Sequence, residues 1–234
     1  LLASQVDRLL DLLVQHLTAF FNVGAAGNNI LLEGADWNDG MDMARERGES
    51  VAFTALYASN LRDLSTLVLS LGRLGLPQVE LASELTWLLD TLNQPVDYEN
   101  TGAKQGRLAE YFASCRHSVS GARVTIHLAD LARDLAAKAD WLYSHIRERE
   151  WVTSREGYGW FNGYYDNDGR RVEGDHSSGI RMTLTGQVFT LMSGIATDAQ
   201  AAEIVRAADR YLYDPRVGGY RLNTDFGGIQ LKMG

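Results

Sequence analysis

The spacing of the apolar residues constrains this fold more than any other feature, because leucine and valine recur every three or four positions over most of the sequence. Such spacing puts apolar side chains on one face of an α-helix. The pattern therefore predicts that helices dominate the chain. The predicted helices are a first over 6–17, a second from Ser50 to about Leu71, then 79–92, a weaker one over 100–118, and 124–146, 182–195 and 199–213.

Punctuating residues set the expected ends of these helices. Ser50 is a predicted N-cap, and Gly75-Leu76-Pro77 is a predicted stop. Asp214-Pro215 is expected to end the last helix, because proline disfavours the helical conformation of the residue before it. The segment 159–174 differs, since four aromatic residues precede an Asp166-Asn167-Asp168-Gly169 turn. It predicts a short β-hairpin or an ordered aromatic loop.

Many helices with little strand predict an all-α fold in which helices pack in pairs. Periodicity by itself leaves a bundle, a solenoid and an α/α barrel open. The sequence shows no internal repeat that would support a solenoid.

Charge and cysteine content disfavour several classes of protein. A net charge of -8 gives no electrostatic reason to bind a nucleic acid. The single cysteine, Cys115, cannot form an internal disulfide, and no metal-site spacing is present. Charged residues interrupt the first 21 positions, which excludes a membrane span there and argues against a signal peptide. We therefore expect a cytoplasmic protein, and the missing initiator Met suggests a fragment.

The segment Glu33 to Asp42 concentrates four carboxylates, an amide and an indole in a glycine-bounded stretch. One interpretation is a turn, in which Asp and Asn side chains bond their own backbone. A second is a carbohydrate site, where the Trp37 indole stacks on a sugar and neighbouring polar groups bond its hydroxyls. A third is a calcium loop, but the spacing does not match that of an EF-hand.

Three stretches resemble glycoside hydrolase family ninety-four, the inverting β-glucoside phosphorylases that act on cellobiose, chitobiose and 1,2-β-oligoglucans. Asp36-Trp37-Asn38-Asp39 is similar to that family's Asp-Trp-Asn-Asp motif, and Gly48-Glu49-Ser50-Val51 follows as it does there. The third stretch runs from Gly159-Trp160-Phe161 to Leu184-Thr185-Gly186-Gln187. The resemblance implies part of an (α/α)6 barrel with a small β-hairpin or ordered aromatic loop.

The resemblance also implies a reaction and its residues. Asp39 would be the general acid in the phosphorolysis of a β-1,2- or β-1,4-linked glucoside to α-glucose 1-phosphate. Trp37 would hold the sugar, while Asp36 and Glu49 would orient the loop or bond sugar hydroxyls. Gln187 and His176 are further candidate substrate-binding residues. Inorganic phosphate would be the co-substrate, and no metal or organic cofactor is expected.

Other family features bear on the rest of the chain. The resemblance puts the phosphate ligands beyond Gly234, so residues 1–234 are expected to be a piece of the catalytic domain, truncated at both ends and nearly inactive in isolation. The expected partners are a β-linked oligosaccharide and phosphate, with no nucleic acid and no membrane. A homodimer of the full-length protein is compatible with the resemblance. The loops Gly24–Glu49 and Gly159–Ser178 are expected to lie at the same end of the fold.

Two other functions stay open at this point. A glycoside hydrolase would need a second carboxylate that activates water. A non-catalytic sugar-binding domain would use Trp37 and the aromatic residues from Trp160 to Tyr165 as stacking platforms.

Overall fold

A computed structural model describes residues 2–33, 44 and 46–226. Within these ranges the chain forms six α-helices and five small antiparallel sheets. The predicted all-α class, part of an (α/α)6 barrel, is therefore wrong, and the fold is mixed α/β. The helices are α1 Leu2–Phe21, α2 Val51–Arg73, α3 Thr101–Cys115, α4 Leu128–Arg149, α5 Leu184–Met192 and α6 Asp198–Tyr211.

The strands are short, from two to five residues each. They are β1 Ile30–Leu31, β2 Glu49–Ser50, β3 Gln78–Ala82, β4 Arg123–His127, β5 Trp151–Thr153, β6 Gly159–Phe161, β7 Tyr164–Tyr165, β8 Gly174–His176, β9 Gly179–Arg181, β10 Tyr213–Asp214 and β11 Gly219–Tyr220. One sheet has three strands in the order β1-β2-β7. The other four are pairs: β3 with β4, β5 with β6, β8 with β9 and β10 with β11.

Several predicted helix boundaries are confirmed. Ser50 Oγ accepts a hydrogen bond of 3.0 Å from Phe53 N at the start of α2, as an N-cap does. At the other end, α2 stops at Arg73, and Gly75 takes a positive φ of 93° just beyond it. The last helix is shorter than predicted, because Tyr213 and Asp214 leave it to pair with Tyr220 and Gly219.

Two predicted helices are corrected by the β3–β4 pair. The segment 79–92 is not one helix but strand β3 followed by 3-10 helices at Ser83–Trp87 and Asp90–Leu92. The helix predicted from Val124 begins only at Leu128. Val79 and Leu81 alternate with polar residues, and they pair with Ile126 and Val124. The two-residue alternation of a strand therefore overrides the helical spacing seen in a longer window.

The aromatic segment is an ordered loop. Asp166 Oδ1 accepts hydrogen bonds from Asp168 N and Arg170 N, which closes the predicted turn. Its strands pair with other parts of the chain, since β6 pairs with β5 and β7 pairs with β2. The segment thus joins two sheets. It also folds back on itself as predicted, because Tyr165 forms an antiparallel bridge with Arg171 across the turn and Val172 N donates to Tyr164 O at 2.9 Å.

The chain divides into two compact units. The first comprises residues 1–23 and 57–141, and the second comprises residues 24–56 and 142–234. The first unit buries apolar side chains of α1, α2 and α4, including Leu13, Leu17, Leu61, Leu131 and Leu135. In the second, Leu32, Ala44, Ala52, Tyr164, Val172 and Phe226 form a buried apolar cluster. The candidate site lies in the second unit.

Candidate functional site

The turn before the Asp-Trp-Asn-Asp motif is held by one buried carboxylate. Glu49 is 2% exposed. Its Oε1 accepts hydrogen bonds from Ala26 N at 2.9 Å and Gly27 N at 3.1 Å. Its Oε2 accepts from Asn29 N at 2.9 Å and again from Gly27 N at 3.0 Å. Glu49, which follows the motif segment in the sequence, therefore holds in place the backbone that precedes the motif.

Both ends of the motif segment are attached to the three-stranded sheet. Leu32 N donates to Gly48 O at 3.0 Å, and Gly48 N donates to Ala44 O at 2.8 Å. In β2, Glu49 pairs with Leu31 of β1 on one side and with Tyr165 of β7 on the other. The motif residues Asp36, Trp37 and Asp39 lie outside the described residues. Their roles stay predictions.

The aromatic loop contacts the end of the motif segment. Asn167 Oδ1 accepts hydrogen bonds from Glu46 N at 3.0 Å and Arg47 N at 2.8 Å. The Tyr165 ring packs closely against the backbone of Gly27, where a Cβ atom would overlap the ring. The described parts of the two loops therefore lie together, as predicted from the sequence.

The aromatic side chains of this loop are not sugar platforms in the structure. Trp160 and Phe161 have no exposed surface, and Tyr164 and Tyr165 are buried. The Trp160 ring instead makes an edge contact with Tyr211. Stacking on a sugar needs an exposed ring face, so this part of the binding-domain hypothesis loses its support.

Glu150, at the end of α4, is a residue that the sequence analysis missed. It is fully buried, and it accepts hydrogen bonds from Asn29 Nδ2 at 2.8 Å, Asn162 Nδ2 at 3.2 Å and Tyr165 Oη at 3.1 Å. Burial raises its pKa, and these hydrogen bonds oppose the rise. Glu150 thus joins the turn before the motif to the aromatic loop. Its position at a helix end among Arg and Glu residues gave no signal of burial.

Gln187, a predicted substrate-binding residue, is buried against the aromatic loop. Its Oε1 accepts from Phe161 N at 2.9 Å, and its Nε2 donates to Phe161 O at 2.8 Å. Nε2 also lies 3.3 Å from Oε2 of Glu173. The amide therefore completes the hydrogen bonding of strand β6, and substrate contact by Gln187 stays a prediction.

Glu173 is a second buried carboxylate that the sequence analysis missed. It accepts hydrogen bonds from Gly163 N at 2.8 Å, Thr183 N at 2.8 Å and Thr183 Oγ1 at 2.6 Å. Burial raises the pKa of the Glu173 carboxyl group to about 8, although these hydrogen bonds act to lower it. Gly163 has to be glycine, because a Cβ there would lie 2.5 Å from Glu173 Oε1. The carboxyl group therefore joins the aromatic loop to the start of α5.

His176, the remaining described candidate, is half-buried on strand β8 and pairs across the hairpin with Gly179. Burial and the positive charge of Arg181 lower its pKa. Glu49 and Gln187 both contact the aromatic loop. His176 lies on the hairpin that directly follows this loop, and its ring bonds the backbone of Val172 and Glu173 at the end of the loop.

The part of the chain that the structure describes lacks two features, a cluster of metal-binding side chains and a helix that could span a membrane. It contains no group of three or more His, Cys, Asp or Glu side chains that could hold a metal ion. None of its helices is long and apolar enough to cross a membrane.

Comparison with known proteins gives no family for the chain. No protein-family model matches the sequence. No curated protein matches it either. The function therefore has to be inferred from the motif residues and from the geometry around them.

Proposed function

We propose that this chain carries the general acid of an inverting phosphorolysis of a β-glucoside, with Asp39 as the acid and α-glucose 1-phosphate as a product. The observation that supports the proposal most is the β1-β2-β7 sheet. Strand β2 pairs with β1 before the motif and with β7 of the aromatic loop. The segment that contains the motif therefore begins and ends at the same three-stranded sheet.

The chemistry needs few protein groups. A glycosidic oxygen leaves readily only when it receives a proton, and Asp39 would supply that proton. Inorganic phosphate would attack the anomeric carbon from the opposite face and invert its configuration. An inverting hydrolase needs a second carboxylate to activate water, whereas phosphate is already a nucleophile. One carboxyl group is therefore enough for this reaction.

The described residues would act mainly by positioning. Glu49 holds the turn from Ala26 to Asn29, and Glu150 joins Asn29 to Tyr165. In the proposal, Trp37 stacks on the sugar and Asp36 bonds its hydroxyls or orients the loop. Rigid support of this kind keeps a catalytic group within reach of its reacting atom.

The described contacts remove part of the support for the two alternatives. A hydrolase needs a carboxylate available to a water molecule, and the buried carboxylates of Glu49, Glu150 and Glu173 do not supply it, because each accepts hydrogen bonds from protein groups. A binding domain needs exposed aromatic faces, but the rings from Trp160 to Tyr165 are buried.

An assay of the complete protein with β-1,2- and β-1,4-linked glucose disaccharides separates the three functions. Phosphate-dependent release of glucose 1-phosphate is the expected result. Release of free glucose without phosphate would replace the proposal by a hydrolase. Saturable disaccharide binding without turnover would replace it by a binding domain.

Asp39→Asn is the direct test of the general acid. The change removes the transferable proton while nearly preserving shape, so turnover should fall by ~10²–10⁴-fold with little change in sugar binding. The loss should shrink for an aryl glucoside, whose leaving group departs without a proton. Synthesis from glucose 1-phosphate should fall as well, because the same residue is the base in the reverse direction.

Asp36→Asn is the matched control for this experiment. It should show no rescue by the activated leaving group, because Asp36 transfers no proton in the proposal. If Asp39→Asn turned over the natural disaccharide normally and Asp36→Asn did not, the acid would have to be Asp36.

A further inference from the structure

The β8–β9 hairpin brings an imidazole and a guanidinium side chain to one face. His176 pairs with Gly179, and Gly174 pairs with Arg181. Alternate residues of a strand share a face, so His176 and Arg181 are diagonal neighbours on the same side of the hairpin. The tip between the two strands consists of Ser177 and Ser178, which are both exposed.

Both side chains carry a buried nitrogen atom without a partner. His176 Nε2 and Arg181 Nε are shielded from solvent, and neither has a hydrogen-bond partner within the described ranges. Arg181 uses Nη2 to donate to Ser178 Oγ at 3.0 Å. Buried polar atoms are nearly always hydrogen-bonded. Two unpaired nitrogen atoms on one short hairpin therefore point to a ligand that would form hydrogen bonds with them.

The nearby carboxylates do not form hydrogen bonds with these two nitrogen atoms. Asp175 Oδ2 accepts from Arg155 N at 2.8 Å and lies 3.6 Å from Arg155 Nε. Asp166 Oδ1 accepts from the Asp168 and Arg170 backbones. Over the described residues, Arg181 makes no salt bridge with a carboxylate. Among the described residues, the positive charge of Arg181 is therefore left without a directly bonded anion.

We infer that His176, Ser178 and Arg181 form a binding site for a phosphate-type oxyanion. A guanidinium group binds tetrahedral oxyanions through several N–H donors in fixed geometry. The imidazole ring of His176 and the Ser178 hydroxyl add further hydrogen-bonding groups beside the guanidinium. Ser178 is exposed and both side chains are half-buried, so the site lies at the surface, and a side-chain movement would be needed to bring the shielded nitrogen atoms into contact with an anion.

The ligand is either free phosphate or the phosphoryl group of a sugar phosphate, which share this chemistry. That the anion is the co-substrate or product of the reaction rests on the proposed function. The site lies within the chain, whereas the family resemblance implied phosphate ligands beyond Gly234. The oxyanion site itself is argued from the hairpin and needs no turnover to be tested.

Calorimetric titration of the full chain with inorganic phosphate, at constant ionic strength, tests the inference. The wild type should bind phosphate saturably, and α-glucose 1-phosphate should compete for the same site. Arg181→Gln and His176→Gln should each weaken binding by about tenfold or more, as expected for loss of a charge-assisted hydrogen bond. Arg170→Gln removes an arginine whose side chain is 77% exposed, and it should bind as the wild type does.

If Arg181→Gln fails to fold, Arg181→Lys replaces it in the experiment, because lysine keeps the positive charge. Lysine lacks the guanidinium fork, so binding should still weaken, and circular dichroism should show an unchanged fold. Wild-type affinity in Arg181→Lys would overturn the site, as would absence of saturable phosphate binding in the wild type. Equal affinity for sulfate would overturn its assignment to the reaction.

The same variants separate this inference from the proposed function. Phosphate binding that depends on Arg181, in a protein without phosphorolytic activity, would support the site and contradict the function. Phosphorolysis with an unchanged phosphate KM in Arg181→Gln would support the function and overturn the assignment of the site to the reaction.

Discussion

At the scale of single residues, the first unit contains a buried ammonium group, whose charge has to be neutralised by neighbouring carboxylates. Lys138 has no exposed surface, and its Nζ lies 2.6 Å from Asp90 Oδ1 and 2.5 Å from Asp134 Oδ1. Thr91 Oγ1 donates to Asp134 at 2.6 Å, and Tyr98 Oη donates to Asp90 at 3.0 Å. Burial and both carboxylate charges raise the pKa of Tyr98. One cation and two hydroxyl groups thus stabilise two buried carboxylates.

Lys138→Met should destabilise the chain by about 3–5 kcal/mol, because it leaves two buried carboxylates without their cation. Urea unfolding would measure this loss. Arg206→Met removes an exposed ion pair with Glu203, and it should cost less than about 1 kcal/mol. Similar losses in the two variants would contradict the view that Lys138 is needed to neutralise the buried charges.

At the scale of elements, helices α3 and α6 begin at side-chain caps. Thr197 Oγ1 accepts from Gln200 N at 3.2 Å, and Gln200 Oε1 accepts from Thr197 N at 3.1 Å, which is a reciprocal capping box at the start of α6. Asn100 Oδ1 caps α3 in the same way through Ala103 N at 3.0 Å. These contacts satisfy backbone N–H groups that a helix leaves unpaired.

Thr197→Ala should lower the free energy of unfolding by about 1 kcal/mol, because it removes the cap of α6. Thr197→Ser retains the hydroxyl group and should lose much less. Urea unfolding and the hydrogen exchange of the first-turn amides would measure both variants. Equal protection of those amides in the alanine variant and the wild type would show that the cap does not hold the helix end.

At the scale of the whole molecule, the buried carboxyl groups set how stability depends on pH. The pKa of Glu173 rises from 4.5 to about 8 on folding, so the folded chain holds a proton that the unfolded chain has released between these values. Stability from this group is present below about pH 4.5 and is lost as pH rises through 8. Burial raises the pKa of Glu150 in the same direction.

Two other carboxylates act in the opposite direction. Hydrogen bonds from Ser120 lower the pKa of Glu84 to about 2, and hydrogen bonds from Arg216 and Arg221 lower that of Asp214. Their contribution is lost as pH falls below about 4.5. The free energy of unfolding should therefore be highest near pH 5 and should decrease toward pH 8.

Urea unfolding between pH 4 and pH 8 would test this dependence. Glu173→Gln keeps the size of the side chain but cannot ionise, so its unfolding free energy should decrease less from pH 5 to pH 8. The difference should be on the order of 1 kcal/mol or more, since each pKa unit corresponds to about 1.4 kcal/mol. An unchanged slope in Glu173→Gln would show that Glu173 does not cause the decrease.

The sequence by itself determined most of the helices, because three- and four-residue spacing and caps such as Ser50 are local features, but it was wrong over 79–92 and 124–127, where strands β3 and β4 form. It also marked the loops 24–49 and 159–178, whose glycine and Asn/Asp content disfavours helix. Only the tertiary structure decided the strands, since pairs such as Glu49 with Tyr165 join short segments far apart in the chain. It also decided which carboxylates are buried, because the burial of Glu150 and Glu173 depends on distant donors that no local pattern encodes.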